Sequence, residues 1–305
     1  MASGERFSQY TAVLNNALSL TQMDRFSVRP DTQKSTITPG GSIDPAHHGI
    51  SSASPRITFA TRDLTTLFGS LSVSAGLACS ATSTFIFQER TDGSTFETAI
   101  TATHETLTVA KGFAMPTSIT ASQDDQDGAI CECDMVCQWN GSADPIVWNT
   151  GQAINAITAP AFGSRFFLGP VYHNGAAISG VTSVSVTPGI NYEAKAFSGD
   201  PYPRLGAIVS RAPQMQFTVA KVDAAAALSS IFGSAISTGL IFYLQKGVAS
   251  GTRVAAATTS HCKITAAAGD WALDEASVQG NEDGSVTFTA LPTTAITLVV
   301  NSAIP

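Results

Sequence analysis

Ala129-Ile130-Cys131-Glu132-Cys133-Asp134-Met135-Val136-Cys137-Gln138-Trp139 alternates without a break. Ala129, Cys131, Cys133, Met135, Cys137 and Trp139 share one side of an extended chain. Ile130, Glu132, Asp134, Val136 and Gln138 share the other. Successive side chains of a strand point to opposite faces, so the stretch predicts a strand with a core face and a mostly polar face. Asp127-Gly128 ahead of it supplies turn chemistry.

The same pattern returns late in the chain. Val286, Phe288 and Ala290 alternate with Ser285, Thr287 and Thr289, and Asp283-Gly284 precedes them as Asp127-Gly128 precedes the first run. Other matches keep the same order. Ile37-Thr38-Pro39-Gly40 resembles Val186-Thr187-Pro188-Gly189, and Pro55-Arg56-Ile57-Thr58-Phe59 resembles Pro213-Gln214-Met215-Gln216-Phe217. Leu67-Phe68-Gly69-Ser70 resembles Ile231-Phe232-Gly233-Ser234, and Phe85-Ile86-Phe87-Gln88 resembles Ile241-Phe242-Tyr243-Leu244-Gln245. Thr103-His104 corresponds to Ser260-His261, and Val147-Trp148-Asn149-Thr150 to Val299-Val300-Asn301-Ser302. A colinear series of this length reads as an internal duplication. The spacing jumps from 149 residues at Gly40/Gly189 to 158 at Pro55/Pro213. It predicts nine extra residues in the second copy, as a longer surface loop around Asn191-Tyr192 and Tyr202-Pro203.

Most remaining segments are short alternating runs bounded by Gly, Pro, Asn and Asp, the pattern of strands and turns. One helix per copy is expected. Thr61-Arg62-Asp63 offers caps, and Leu64, Leu67, Phe68 and Leu71 follow at helical spacing. Val222 to Leu228 holds the matching place in the second copy. The expected fold class is mainly β, with two tandem β-sandwich or barrel modules, each carrying one short packed helix. The divisions are an N-terminal arm at 1–30, a first module at 31–157, a linker at 158–165 and a duplicate module at 166–305.

Charged residues make up 13% of the 305, about half the roughly 25% usual in soluble domains. A surface of Ser, Thr, Ala and Gly desolvates cheaply against another subunit, which points to a homo-oligomer. A net charge of −7 argues against static binding to nucleic acid, whose phosphates call for Lys and Arg. No run of about 18 apolar residues reads as a membrane span, and no secretory leader is legible, so a cytoplasmic origin is expected. Five cysteines, three of them crowded on one strand, do not read as a disulfide framework.

None of the polar clusters reads as a catalytic site. Cys131, Cys133 and Cys137 share an apolar face with Met135, so they read as core rather than as metal ligands. His104 and His261 hold equivalent positions and imply a shared structural role. Asp124-Asp125-Gln126-Asp127 reads as a solvated approach to a turn, with an ion site or subunit contact as competing uses. No nucleophile elbow, phosphate loop or dinucleotide fingerprint is present. The chain is expected to be neither an enzyme nor a holder of metal or cofactor.

A β-rich module of about 150 residues, rich in Ala, Ser and Thr and written twice, resembles the bacteriophage tail-tube (major tail) proteins with two tandem tube domains. Thr117-Ser118-Ile119-Thr120-Ala121-Ser122-Gln123-Asp124-Asp125, leading into the alternating strand, carries the same likeness. The resemblance implies a virion structural protein assembled in the host cytoplasm. Its trimeric, pseudo-sixfold rings would stack into a tube, with DNA only as passing cargo and other virion proteins as partners. On that view Glu132 and Asp134 are candidates to line the channel. Asn191, Tyr192 and Tyr202, together with the arm up to Arg29, are candidates for contacts between rings. The competing reading within the same class is a capsid, decoration or baseplate subunit. A secreted adhesin or carbohydrate-binding module is a further class, which would call for a leader and clustered aromatics.

Overall fold

The computed structural model describes residues 6–37, 47–90, 104–153, 165–220, 234–248, 252–277 and 284–305. The chain is mainly β. Its first half runs β1 (Arg6–Leu14), β2 (Leu18–Leu20), β3 (Met23–Arg29), β4 (Thr32–Ile37), β5 (His47–Ala53) and β6 (Arg56–Thr61), then α1 (Leu64–Ser70). There follow β7 (Leu77–Cys79), β8 (Ser83–Arg90), β9 (His104–Val109), β10 (Lys111–Ser122), β11 (Ile130–Gln138) and β12 (Ile146–Gln152). The second half opens with β13 (Phe166–His173), β14 (Ala176–Ile178), β15 (Val181–Thr187), β16 (Ile190–Lys195), β17 (Leu205–Arg211) and β18 (Gln214–Val219). It closes with β19 (Ser234–Ile236), β20 (Leu240–Lys246), β21 (His261–Ala266), β22 (Gly269–Ser277), β23 (Ser285–Pro292) and β24 (Thr297–Ser302).

The two halves pair their strands alike. A five-stranded cover sheet has the order β12-β9-β8-β1-β2 in the first half and β24-β21-β20-β13-β14 in the second. Opposite it, β3-β6-β11-β10 is mirrored by β15-β18-β23-β22, with β7 on β10 and β19 on β22. Local irregularities repeat as well. A bulge interrupts β10 between Pro116 and Ser118, and β22 between Leu273 and Glu275. Asn15 and Asn174, both at positive φ, turn the chain at the same corner. Asn15 Oδ1 accepts from the Ala81 N–H, and Asn174 Oδ1 from the Thr238 N–H, both at 2.9 Å.

Each half is a sandwich whose inner faces carry the alternate apolar residues. Phe59 and Phe26 from one sheet meet Phe85 from the other at ring separations of 5.6 and 5.0 Å, and Phe217 meets Phe242 at 6.0 Å. Phe85 and Phe242 are fully buried, each contributing about 1.5–3 kcal/mol by leaving water. Cys131, Cys133, Met135 and Cys137 line the same core, as their parity predicts, whereas Trp139 lies at its margin. Helix α1 starts where expected: Asp63 Oδ1 accepts from the Thr66 N–H, and Leu64 and Leu67 are buried.

Two expectations are corrected. Residues 1–30 are no detached arm, because 6–29 supply β1, β2 and β3, and Ala12, Leu14 and Leu20 are buried in the core. The nine-residue insert is also absent. The hairpin β4–β5 covers 32–53 and β16–β17 covers 190–211, the same length at a constant offset of 158. The true counterpart of Pro188-Gly189 is Pro30-Asp31, with both Asp31 and Gly189 at positive φ. Asp tolerates that conformation, so no glycine marks the corner in the first half. The second helix, expected over Val222 to Leu228, and nearly all of the linker at 158–165 fall outside the described residues.

Candidate assembly interface

The long sheet does not stop at the end of the first half. The second part of β10 pairs antiparallel with β15, matching Ile119 with Val186, Thr120 with Ser185, Ala121 with Val184 and Ser122 with Ser183. The order is therefore β19-β22-β23-β18-β15-β10-β11-β6-β3, one sheet across both halves. All eight residues paired across the seam are uncharged. Main-chain bonds and small side chains hold the seam, at little desolvation cost.

A strap reinforces the seam. Beyond Pro188-Gly189 the hairpin β16–β17 crosses from the second half onto the β10–β11 face of the first. Phe113, Met115, Val136 and Tyr192 form a buried apolar cluster there, with Ile190, Ala194 and Ile208 packed against it. Gln138 Nε2 donates to Tyr192 Oη at 2.7 Å. The Trp139 N–H donates to Pro203 O at 2.8 Å, and Arg211 Nε to Ser74 O at 2.6 Å. This strap explains why the second face of β11 is covered rather than wet: Val136 and Gln138 are both buried.

The two outer edges of the long sheet are the unmatched halves of that seam. Among the described residues, β3 has a strand partner only on its β6 side. Among the same residues, the stretch of β22 from Glu275 to Ser277 pairs only with β23. A groove of 390 Å³ lies beside the free β3 edge, over Arg25, Phe26, Arg29 and Glu132. Its counterpart in the second half, over Ser183, Val184 and Gln216, is 240 Å³ and is bordered by Thr120, Ala121 and Ser122 of β10.

The candidate residues fall as follows. Glu132 is half-exposed on the face away from the core and meets Arg25 at 2.7 Å. Asp134, on the same face, is only 8% exposed and pairs with Arg56 at 3.1 Å. Burial pushes its carboxyl up, outweighing the opposing pull of Arg56. The two carboxylates thus share a face, but only Glu132 is accessible within one chain. Tyr192 is buried under its own strap against Phe113, so it is committed inside the chain rather than free for a neighbouring ring. Asn191 is exposed, and Tyr202 lies half-buried in an apolar groove with Val28, Pro30, Pro55, Pro145 and Ile146.

The other polar clusters are structural in their contacts. The five cysteines are free and buried; desolvation raises the Cys131 and Cys137 thiols and puts Cys262 at about 12. His261 is fully buried, accepting at Nδ1 from the Lys246 N–H and meeting Ala255 O through Nε2, each at 3.0 Å. His104 begins β9 as His261 begins β21 and is equally buried. Asp125 faces Arg62 at 3.5 Å and Asp127 faces Arg165 at 3.3 Å. Among the described residues no group of three or more His, Cys, Asp or Glu is placed to hold a metal ion, and no helix is long and apolar enough to cross a membrane. Sequence reasoning passed over Phe113 and Asp270, which carry no motif and stand out only from the strand pairing. Compared with protein families and with curated proteins, the chain matches none.

Proposed function

We propose that this chain is a virion structural protein, a bacteriophage tail-tube subunit whose copies join head to tail into rings that stack around a DNA conduit. One observation carries the reading. The β10–β15 seam joins two halves of like strand order, and among the described residues the sheet leaves one unmatched edge of each kind, β3 and the stretch of β22 from Glu275 to Ser277. Repeating the seam between copies is a heterologous contact, which closes into a ring or winds into a filament. Three copies would give six modules, and each would bring four long strands to one continuous inner wall.

The chemistry of the face away from the core supports a conduit. In the second half it is a polar, weakly charged ladder: Thr218 Oγ1 meets Thr287 Oγ1 at 3.1 Å, and Gln216 Nε2 donates to Thr289 Oγ1 at 3.4 Å. Asp274 lies among these groups, accepting from Gln216 and Thr289, and in the first half Arg25 and Arg56 are each paired with a carboxylate, so the face offers phosphates little free cationic charge to bind. Glu132 lies on that face in the first half, within reach of Arg25.

Negative-stain electron microscopy of the purified chain across a concentration series tests the reading. Rings or tubes of constant width are expected. Closed shells, or a single-chain particle at all concentrations, would overturn it.

A further inference from the structure

The structure assigns the two open edges to one another in a second copy, through two ion pairs that replace uncharged contacts of the internal seam: Glu275 with Arg29, and Asp270 with Lys34. This inference rests on the ring-forming reading above and adds to it the partner, the register and the chemistry of the contact.

Position by position, the counterparts follow from the pairing registers. Phe113 lies opposite Ala78 on one side and Val136 on the other, and Asp270 lies opposite Ala235 and Leu291 in the same way. Asp270 therefore stands where Phe113 stands. Tyr192 pairs with Ile208 directly after an irregularity in β16, and Lys34 pairs with Ile50 directly after the same irregularity in β4. Lys34 therefore stands where Tyr192 stands. On the internal strap Tyr192 stacks on Phe113 at 4.0 Å. The same junction formed between copies brings a cation at the Tyr192 position to an anion at the Phe113 position.

The second pair comes from the seam itself. Ile119 faces Val186, and one step along the same antiparallel register sets Ser118 opposite Thr187. Their counterparts are Glu275, next to the β22 bulge, and Arg29, at the end of β3. Glu275, Asp270 and Arg29 are all exposed in the single chain. Leu291 adds an apolar contribution. It is 59% exposed, whereas its counterpart Val136 is 1% exposed beneath the strap, and the β4–β5 hairpin of a second copy would cover it.

The exchange of an aromatic pair for ion pairs gives the two junctions different identities. A β4–β5 hairpin that docked on the β10–β11 face would set Lys34 against Phe113. A β16–β17 hairpin on β22–β23 would set Tyr192 against Asp270. Either error forfeits the aromatic stack or an ion pair, and the second also sets a carboxylate against the electron-rich face of a ring, a mismatch that disfavours it.

Charge reversal tests this in the full-length chain. One variant carries Asp270→Lys with Glu275→Lys, a second carries Arg29→Glu with Lys34→Glu, and a third carries all four. Assembly is followed by light scattering and microscopy, and folding by circular dichroism. Each one-sided variant is expected to fold and to need at least about tenfold more protein than the wild type to assemble. The four-site variant is expected to regain assembly with itself and not to mix with the wild type. If one-sided variants assemble like the wild type, or a folded four-site variant stays dispersed, the ion pairs are refuted while the ring reading stands. If the wild type itself never assembles, both fail.

Discussion

Tyr192 lies flat on Phe113, with ring centroids 4.0 Å apart and planes 3° from parallel, although the two residues belong to different halves of the chain. The stack is the centre of a small core separate from the main core, which runs through both halves. Tyr192→Ala is expected to cost about 2–4 kcal/mol, since it empties a buried aromatic site at the edge of the protein. Tyr192→Phe keeps the stack but leaves the buried Gln138 amide without its acceptor, costing about 1–2 kcal/mol. Denaturant unfolding of Tyr192→Ala, of Phe113→Ala and of the variant carrying both, combined as a double-mutant cycle, measures the coupling. A coupling of zero would mean that the strap is not held by this pair.

Asp134 gives a pH signature. Burial raises its carboxyl above the usual value, and Arg56 only partly offsets this. A folded-state value above the unfolded one means that protonation favours the fold. The contribution is complete below the unfolded value and is lost as pH rises through the folded one. Asp134→Asn removes that titration, while the half-exposed Arg56 side chain keeps its water. The variant is therefore expected to gain stability relative to the wild type between pH 4 and pH 7. Thermal unfolding of both proteins at several pH values checks this. A difference that shrinks as pH rises would contradict it.

Local pattern was enough for the strands and the first helix. Parity alone assigned Cys131, Cys133, Met135 and Cys137 to the core, and Asp63 with Leu64 and Leu67 marked the helix start. The same pattern misjudged the opposite face of β11, because burial there comes from Tyr192, 54 positions beyond Gln138. It also aligned Pro39-Gly40 with Pro188-Gly189 on identity of letters. The backbone instead pairs Asp31 with Gly189, because strand register fixes equivalence and composition at a corner does not. The residues proposed for assembly were the least legible. Asp270 carries no motif, and it draws notice only once the sheet shows which strands lack a neighbour.

That corner yields the last prediction. Gly189 has φ of +64°, and a Cβ added there would overlap the carbonyl oxygen of Ala212, a residue whose N–H donates to Gly189 O at 2.9 Å. The left-handed conformation alone costs an L-residue about 1–2 kcal/mol, and overlap with a carbonyl oxygen forces the strap to move. Gly189→Ala is therefore expected to destabilise the chain by about 2–4 kcal/mol. The loss should be largest at the strap, where hydrogen exchange of the Trp139 amide reports the bond to Pro203. At the matching corner Asp31 already carries a Cβ at φ of +40°. Asp31→Gly removes strain but adds freedom to the unfolded chain, so its net effect should stay within about 1 kcal/mol. Equal sensitivity at the two corners would show that the straps are anchored alike. The expected asymmetry marks β16–β17 as a hairpin whose corner is fitted closely against the rest of the chain.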